Sequence, residues 1–170
     1  MELKMDTKLE QLASDFHEFL KAEPGPKGRE KVAQRLKDVL IDADFQAAHF
    51  GPDTGTRKLL YEDGELGFCI LAHAYEGAAE SRPHDHGPSW AIYGQAEGET
   101  EMTEWDLVEP ASADKPGRVR PAKTYTMTPG SAYVYNAGVL HSPKRSGPTR
   151  LIRIEGTNMD RVSRFRYEPV

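Results

Sequence analysis

Two short segments hold the residues whose types and spacing could do chemistry. The first is Arg82-Pro83-His84-Asp85-His86-Gly87. On an extended backbone, residues two apart project to the same face, so His84 and His86 can offer both imidazoles to one metal ion while Asp85 turns away. Taken alone, a His-x-His pair equally fits two solvated loop histidines, because a metal site needs a third protein ligand. The second segment is Pro129-Gly130-Ser131-Ala132-Tyr133-Val134-Tyr135-Asn136-Ala137-Gly138-Val139-Leu140-His141. Two glycines bracket a strand there, and His141 follows the second glycine after two apolar residues.

Such residues have to be carried by regular elements, and the chain divides into two textures. Residues 1–50 read as a helical cap of the same domain, and residues 51–170 as β. In Thr7–Ala22 the apolar positions Leu9, Leu12, Phe16, Phe19 and Leu20 recur at helical spacing behind an Asp6/Thr7 cap, and Pro24-Gly25-Pro26 stops the helix. Val32, Leu36, Val39, Leu40 and Ala43 then mark one face of a second helix from about Gly28 to Asp44. Two short amphipathic helices hold too little apolar area to stand alone, so they are expected to pack on the β portion of the chain.

From Arg57 onward, short apolar or alternating runs sit between turn signals. Strands are expected at Lys58–Glu62, Leu66–Tyr75, Trp90–Gln95, Glu99–Val108, Thr124–Met127, Ala132–Tyr135, Val139–His141, Arg150–Glu155 and Ser163–Tyr167. Asp63-Gly64 reads as a hairpin turn. The polar stretch Glu109–Gly117 reads as a surface loop joining two halves of a barrel. Many short strands without intervening helices predict a mainly β sandwich or small barrel.

Composition narrows the function class. The chain has 170 residues, one domain's worth, with 38% hydrophobic residues and a net charge of −5. Mild acidity without a run of basic residues argues against a nucleic-acid or anionic-membrane binder. No apolar leader and no apolar stretch of membrane-spanning length is present, and the lone Cys69 excludes an intrachain disulfide. The expectation is a cytoplasmic protein, with a homodimer permitted but not demanded.

The two histidine-bearing segments together resemble the two motifs of the cupin superfamily. Gly77 and His84-x-His86 match the first with one extra residue before the histidines; the second matches in spacing, with Asn136 where proline is usual and Arg145 where asparagine is usual. The resemblance implies a double-stranded β-helix, a small barrel that brings His84, His86 and His141 onto one metal ion. It also exposes a departure. Cupins carry a glutamate ligand after three or four further residues beyond the His-x-His, where this chain has Trp90 and Ala91. Three neutral imidazoles leave a dication its full charge, which favours anionic, chelating substrates.

A small cupin with His-Asp-His and no glutamate resembles the thiol dioxygenases: cysteine dioxygenase and its mercaptopropionate relatives. That resemblance runs from Arg57 to about Glu155, with Trp90, Gly94 and Gly98 following the histidines as in the bacterial mercaptopropionate branch. It implies an Fe(II) centre, O2 and a small carboxylate-bearing thiol as reactants, and Arg57 as the carboxylate anchor, a role suited to a planar guanidinium. Trp90 is expected to wall the pocket and Tyr93 to line it for substrate; Tyr93, Tyr133 and Tyr135 read as packing strand aromatics, with one hydroxyl among the three free to reach the open metal positions.

The family's Ser-His-Tyr relay is absent, since Leu151, Arg153 and Glu155 occupy its place, and Ala91 replaces the cysteine of the cross-linking form. Arg153 and Glu155 share a strand face and either support the metal site or face solvent, since Ile152 and Ile154 alternate with them. His17 reads as a helix-surface histidine, His49 as a loop one, His73 as a hydrogen-bonded structural residue and Cys69 as a small core residue. Ligand identity leaves Zn, Mn, Ni or Cu open beside Fe(II). Two further readings stay open: a three-histidine cupin with non-thiol chemistry, and a non-catalytic cupin that binds a metal or small ligand.

Overall fold

The computed structural model describes residues 6–170. Three helices come first, α1 (Thr7–Ala22), α2 (Pro26–Leu40) and α3 (Ala43–His49). Ten strands complete the chain: β1 (Lys58–Glu62), β2 (Cys69–Tyr75), β3 (Ala79–Glu80), β4 (Ala91–Glu97), β5 (Thr100–Glu109), β6 (Gly117–Met127), β7 (Ala132–Tyr135), β8 (Leu140–Arg145), β9 (Thr149–Glu155) and β10 (Tyr167–Pro169). The strands form two sheets of five, ordered β1-β2-β9-β4-β7 and β10-β6-β5-β8-β3. This is the mainly β barrel with N-terminal helices packed on it that the sequence predicts. No helix among the described residues is long and apolar enough to cross a membrane.

The central strands of the first sheet, β2, β9 and β4, are buried on both faces, and their sequence shows it. Along β2, β4 and β9, one set of side chains joins the helices in a single core: Ile70, Ala72, Ile92, Ala96, Ile152 and Ile154 pack with Leu12, Phe16, Leu36 and Leu40. The alternate set turns into the barrel. Strands covered on both sides lose the polar-out alternation and read as nearly continuous apolar runs. At Gly94 the helical layer comes closest; a Cβ there would meet Leu36 Cδ2 and Leu40 Cδ2, each at 2.8 Å.

The second sheet is covered on one side only. Thr100 and Met102 point inward on β5, while Glu101 is exposed between them. The polar loop after β5 joins β5 to β6, which pair antiparallel within this sheet. It therefore closes a hairpin and does not connect the barrel's two halves as expected.

The helical cap also differs from expectation. α2 stops at Leu40, and Asp42 caps a separate helix by accepting from Phe45 N–H at 2.9 Å. His49 ends that helix, buried against Phe45, with Nε2 2.6 Å from the Asp6 carboxylate. It is not a loop histidine. His17 on α1 meets Asp63 at 2.9 Å and Glu65 at 3.1 Å, which ties the helix to the turn after β1.

Candidate metal centre

His84 and His141 are brought together by the backbone itself. Each donates its N–H to the other's carbonyl, at 3.0 and 2.9 Å, in an isolated antiparallel bridge. His86 lies two residues on and projects to the same side; its Nε2 is 3.3 Å from His141 Nε2. Gly87 comes next with φ of +59°, a left-handed turn that favours glycine. Asp85 faces the other way, toward Gly87 N–H at 3.0 Å and Tyr167 Oη at 3.4 Å.

The donor set fits a metal ion. The three imidazoles present ligand atoms that all lie within 4.8 Å of one another. His84 Nδ1 is 2.9 Å from Arg82 O, and His141 Nδ1 is 3.2 Å from Val139 O. A carbonyl accepts only, so both Nδ1 atoms carry the proton and both Nε2 atoms present lone pairs; the tautomer is set by that network. Burial holds all three rings neutral: His84 is pushed down to about 4, His86 to about 2, and His141 well below the usual histidine range. Neutral imidazole is the ligating form. His86 Nδ1 is buried without a partner.

Tyr93 Oη touches two of the three, at 3.0 Å from His86 Nε2 and 3.1 Å from His141 Nε2. It comes from β4, and burial raises its pKa, so it stays a phenol. Tyr135, on the neighbouring β7, stacks on His141 at 4.4 Å between centroids.

Arg153 and Glu155 both point into the barrel, and their alternation partners Ile152 and Ile154 face the helices instead of solvent. The Arg153 guanidinium lies 4.3 Å over the Tyr93 ring. Glu155 is fully buried and accepts from Arg57 Nη1 at 2.7 Å and Arg57 Nη2 at 3.3 Å. Arg57 Nη2 also contacts Asn158 Oδ1 at 3.4 Å, and Nε contacts Asp160 at 3.3 Å. Its donors are thus engaged inside the protein, which does not suit the substrate-anchoring role expected of it.

Trp90 is placed differently from expectation too. It sits against the helical core beside Arg29, whose guanidinium is 5.5 Å from its ring, and so does not wall the cavity at the histidines. His73 lies inside the barrel, with Nδ1 2.5 Å from Thr56 O and Nε2 buried without a partner.

Arg145 belongs to the same interior, a placement that the sequence pattern alone did not single out. It is buried, and its guanidinium lies 4.3 Å over the Tyr75 ring. Together with Arg153 and His84 it lines a cavity of about 650 Å³. The signal is in the strand: His141, Pro143 and Arg145 alternate along β8, so an inward His141 carries Arg145 inward with it.

No protein-family model matches the sequence, and no curated protein matches it. Solved structures do resemble the fold. A cupin superfamily protein from Desulfitobacterium hafniense is 12% identical with a TM-score of 0.45, over 60% of this chain and 76% of that one. The Cnp3 cupin domain of Schizosaccharomyces pombe is 16% identical at 0.46, over 60% of each chain. KdgF from Halomonas sp. is 15% identical at 0.45, over 62% of this chain and 82% of that one.

Proposed function

We propose that the chain is a mononuclear non-haem iron dioxygenase that adds both atoms of O2 to the sulfur of a small carboxylate-bearing thiol, RSH + O2 → RSO2H. The observation that supports it best is a buried all-imidazole centre with no carboxylate among its donors, opening on a cavity lined by arginines. Fe(II) held by His84, His86 and His141 supplies redox chemistry toward O2 and favours the thiolate over the thiol. The chain's own groups do the rest. Arg153, facing the cavity beside Tyr93, takes over the carboxylate contact from Arg57 and orients the substrate. The Tyr93 hydroxyl, in contact with both His86 and His141, holds a proton at the reacting end of the substrate. This phenol reaches the centre from β4, whereas β9 offers no tyrosine and carries Leu151, Arg153 and Glu155 inward. Zn, Mn, Ni or Cu in the same three histidines would serve non-thiol chemistry or ligand binding.

The test is anaerobic Fe(II) reconstitution, then O2 uptake with cysteine, 3-mercaptopropionate, cysteamine and thiol-free acids. Thiol-dependent uptake, weakened in Arg153→Ala for carboxylate-bearing thiols and not for cysteamine, supports the reading. Protein holding a full equivalent of iron that takes up no O2 with any thiol overturns it.

A further inference from the structure

The cavity beside the three histidines carries more positive charge than one carboxylate can answer. Arg145 is 3% exposed, yet its Nε and Nη2 have no hydrogen-bond partner, and it forms no ion pair among the described residues. The aromatic face of Tyr75 orients this guanidinium without neutralising it. Arg153 likewise has its Nε buried and unpartnered. The buried carboxylate nearby, Glu155, is engaged by Arg57 at 2.7 Å, and Arg153 stands at 3.9 Å from the same oxygen. Arg82, Arg164 and Arg166 line the cavity as well, and among the described residues no aspartate or glutamate does. A buried guanidinium without a counterion is costly, so two guanidiniums that line a cavity of about 650 Å³ and keep unpartnered nitrogens mark where an anion belongs.

The two guanidiniums approach from different walls. Arg145 belongs to β8 in the second sheet and Arg153 to β9 in the first. One carboxylate fills one guanidinium fork. Two forks on facing sheets suit a ligand with an acid group for each.

We infer that Arg145 and Arg153 form a two-arginine subsite that takes a small dicarboxylate, one acid group per guanidinium, beside the three-histidine centre. In placing this ligand as the substrate the inference rests on the proposed function; the recognition chemistry itself does not require oxidation. The preferred thiol is then one with two carboxylates.

Calorimetric titration of the full chain, as purified and at low salt, with succinate, propionate and inorganic phosphate separates the outcomes. Succinate is expected to bind about tenfold or more tightly than propionate, the increment of one further charge-assisted contact. Arg145→Gln removes a buried unpaired charge, so the fold should persist, and thermal melting checks it; the succinate margin should vanish while propionate affinity holds. Equal affinity for succinate and propionate in the unaltered chain overturns the inference whatever the variant does. So does a margin that survives Arg145→Gln, or phosphate binding as tightly as succinate. O2 uptake with mercaptosuccinate against 3-mercaptopropionate keeps the two proposals apart. No uptake with either thiol, beside an intact succinate margin, sinks the oxidation and leaves the subsite. Uptake with both, without that margin, sinks the subsite alone.

Discussion

Arg57 closes on the carboxylate of Glu155 with two guanidinium nitrogens, at 2.7 and 3.3 Å, although 98 residues separate them in the chain. Glu155 has no exposure to solvent, while Arg57 keeps 27% of its side chain exposed. Removing one partner of a buried pair strands the other charge, so Arg57→Ala should destabilise the protein by about 2–3 kcal/mol, less than the ~3–5 kcal/mol of a fully buried pair because Arg57 is partly solvated. Glu155→Gln in the same chain should recover most of the loss. Urea unfolding of the two single variants and the double checks this. A stable Arg57→Ala chain that loses only its affinity for carboxylate-bearing ligands would return Arg57 to the anchoring role.

The histidine cluster gives a second outcome. His84→Ala and His141→Ala each remove a donor whose Nδ1–H is already fixed by a backbone carbonyl. Oriented ligands account for much of metal affinity, and disturbing even their outer partners costs roughly 10–100-fold. Losing the ligand should therefore leave each variant with a small fraction of the metal bound by the unaltered chain under identical loading. Elemental analysis after gel filtration measures it, with circular dichroism to confirm folding. Unchanged metal content in both variants removes the site assignment.

Tyr93→Phe separates chemistry from structure. The ring is buried between Arg153 and Tyr135, so phenylalanine keeps the packing and deletes one hydroxyl that contacts His86 and His141. Metal content should be unchanged, and kcat should fall by about 100-fold, the scale of a positioned proton donor. O2-uptake kinetics decide it; an unaltered kcat would reduce Tyr93 to a packing residue.

The metal ligands are legible in the sequence because their signal is local: a two-residue spacing on extended chain, and a histidine at fixed distance from a glycine. Trp90 and Tyr93 show the limit of local reading. The resemblance puts both at the pocket, but Trp90, just ahead of β4, and Tyr93, within it, stand three apart on extended chain, so pleating sends them to opposite faces. Tyr93 reaches the histidines and Trp90 meets the helices. Arg57 departs from expectation for a different reason. A guanidinium's partner is set by tertiary contact, and neither Glu155 nor Asp160 lies near it in sequence. Ile152 and Ile154 suggest a solvent-facing alternative for Arg153 and Glu155 because a strand packed on both faces shows no polar side. The break between α2 and α3 carries a readable mark, since Asp42 is a standard N-cap residue.

Gly94 tests how tightly the helical layer sits on the barrel. The leucine methyl groups of α2 that a Cβ would meet at 2.8 Å are flexible ends, so alanine can be absorbed by a small shift. A β-branched side chain cannot. Gly94→Val should cost about 1–3 kcal/mol by overpacking, and Gly94→Ala distinctly less. Thermal melting of the two variants against the unaltered chain gives the order. Equal stability of all three would mean that the helices dock more loosely than the Leu36 and Leu40 contacts imply.

His73 links the barrel interior to pH without involving the metal ligands. Its Nδ1 lies 2.5 Å from Thr56 O, and its Nε2 is buried without a partner, so a second proton would have no acceptor. Burial, first, and the charge of Arg153 hold its pKa well below the ordinary 6.5. In the unfolded chain the ring takes a proton near 6.5; in the folded chain it does not until far lower pH. Below 6.5 the unfolded state therefore binds the extra proton, and stability falls as pH drops, by at most about 1.4 kcal/mol per pH unit for one group. Above 6.5 both states are neutral and this contribution is flat. His73→Gln has nothing to titrate, so its stability between pH 6.5 and 5 should decline less steeply than that of the unaltered chain. Urea unfolding at pH 8, 6.5 and 5 for the two proteins measures the difference in slope. Parallel curves would show that the unfolding proton is taken up elsewhere.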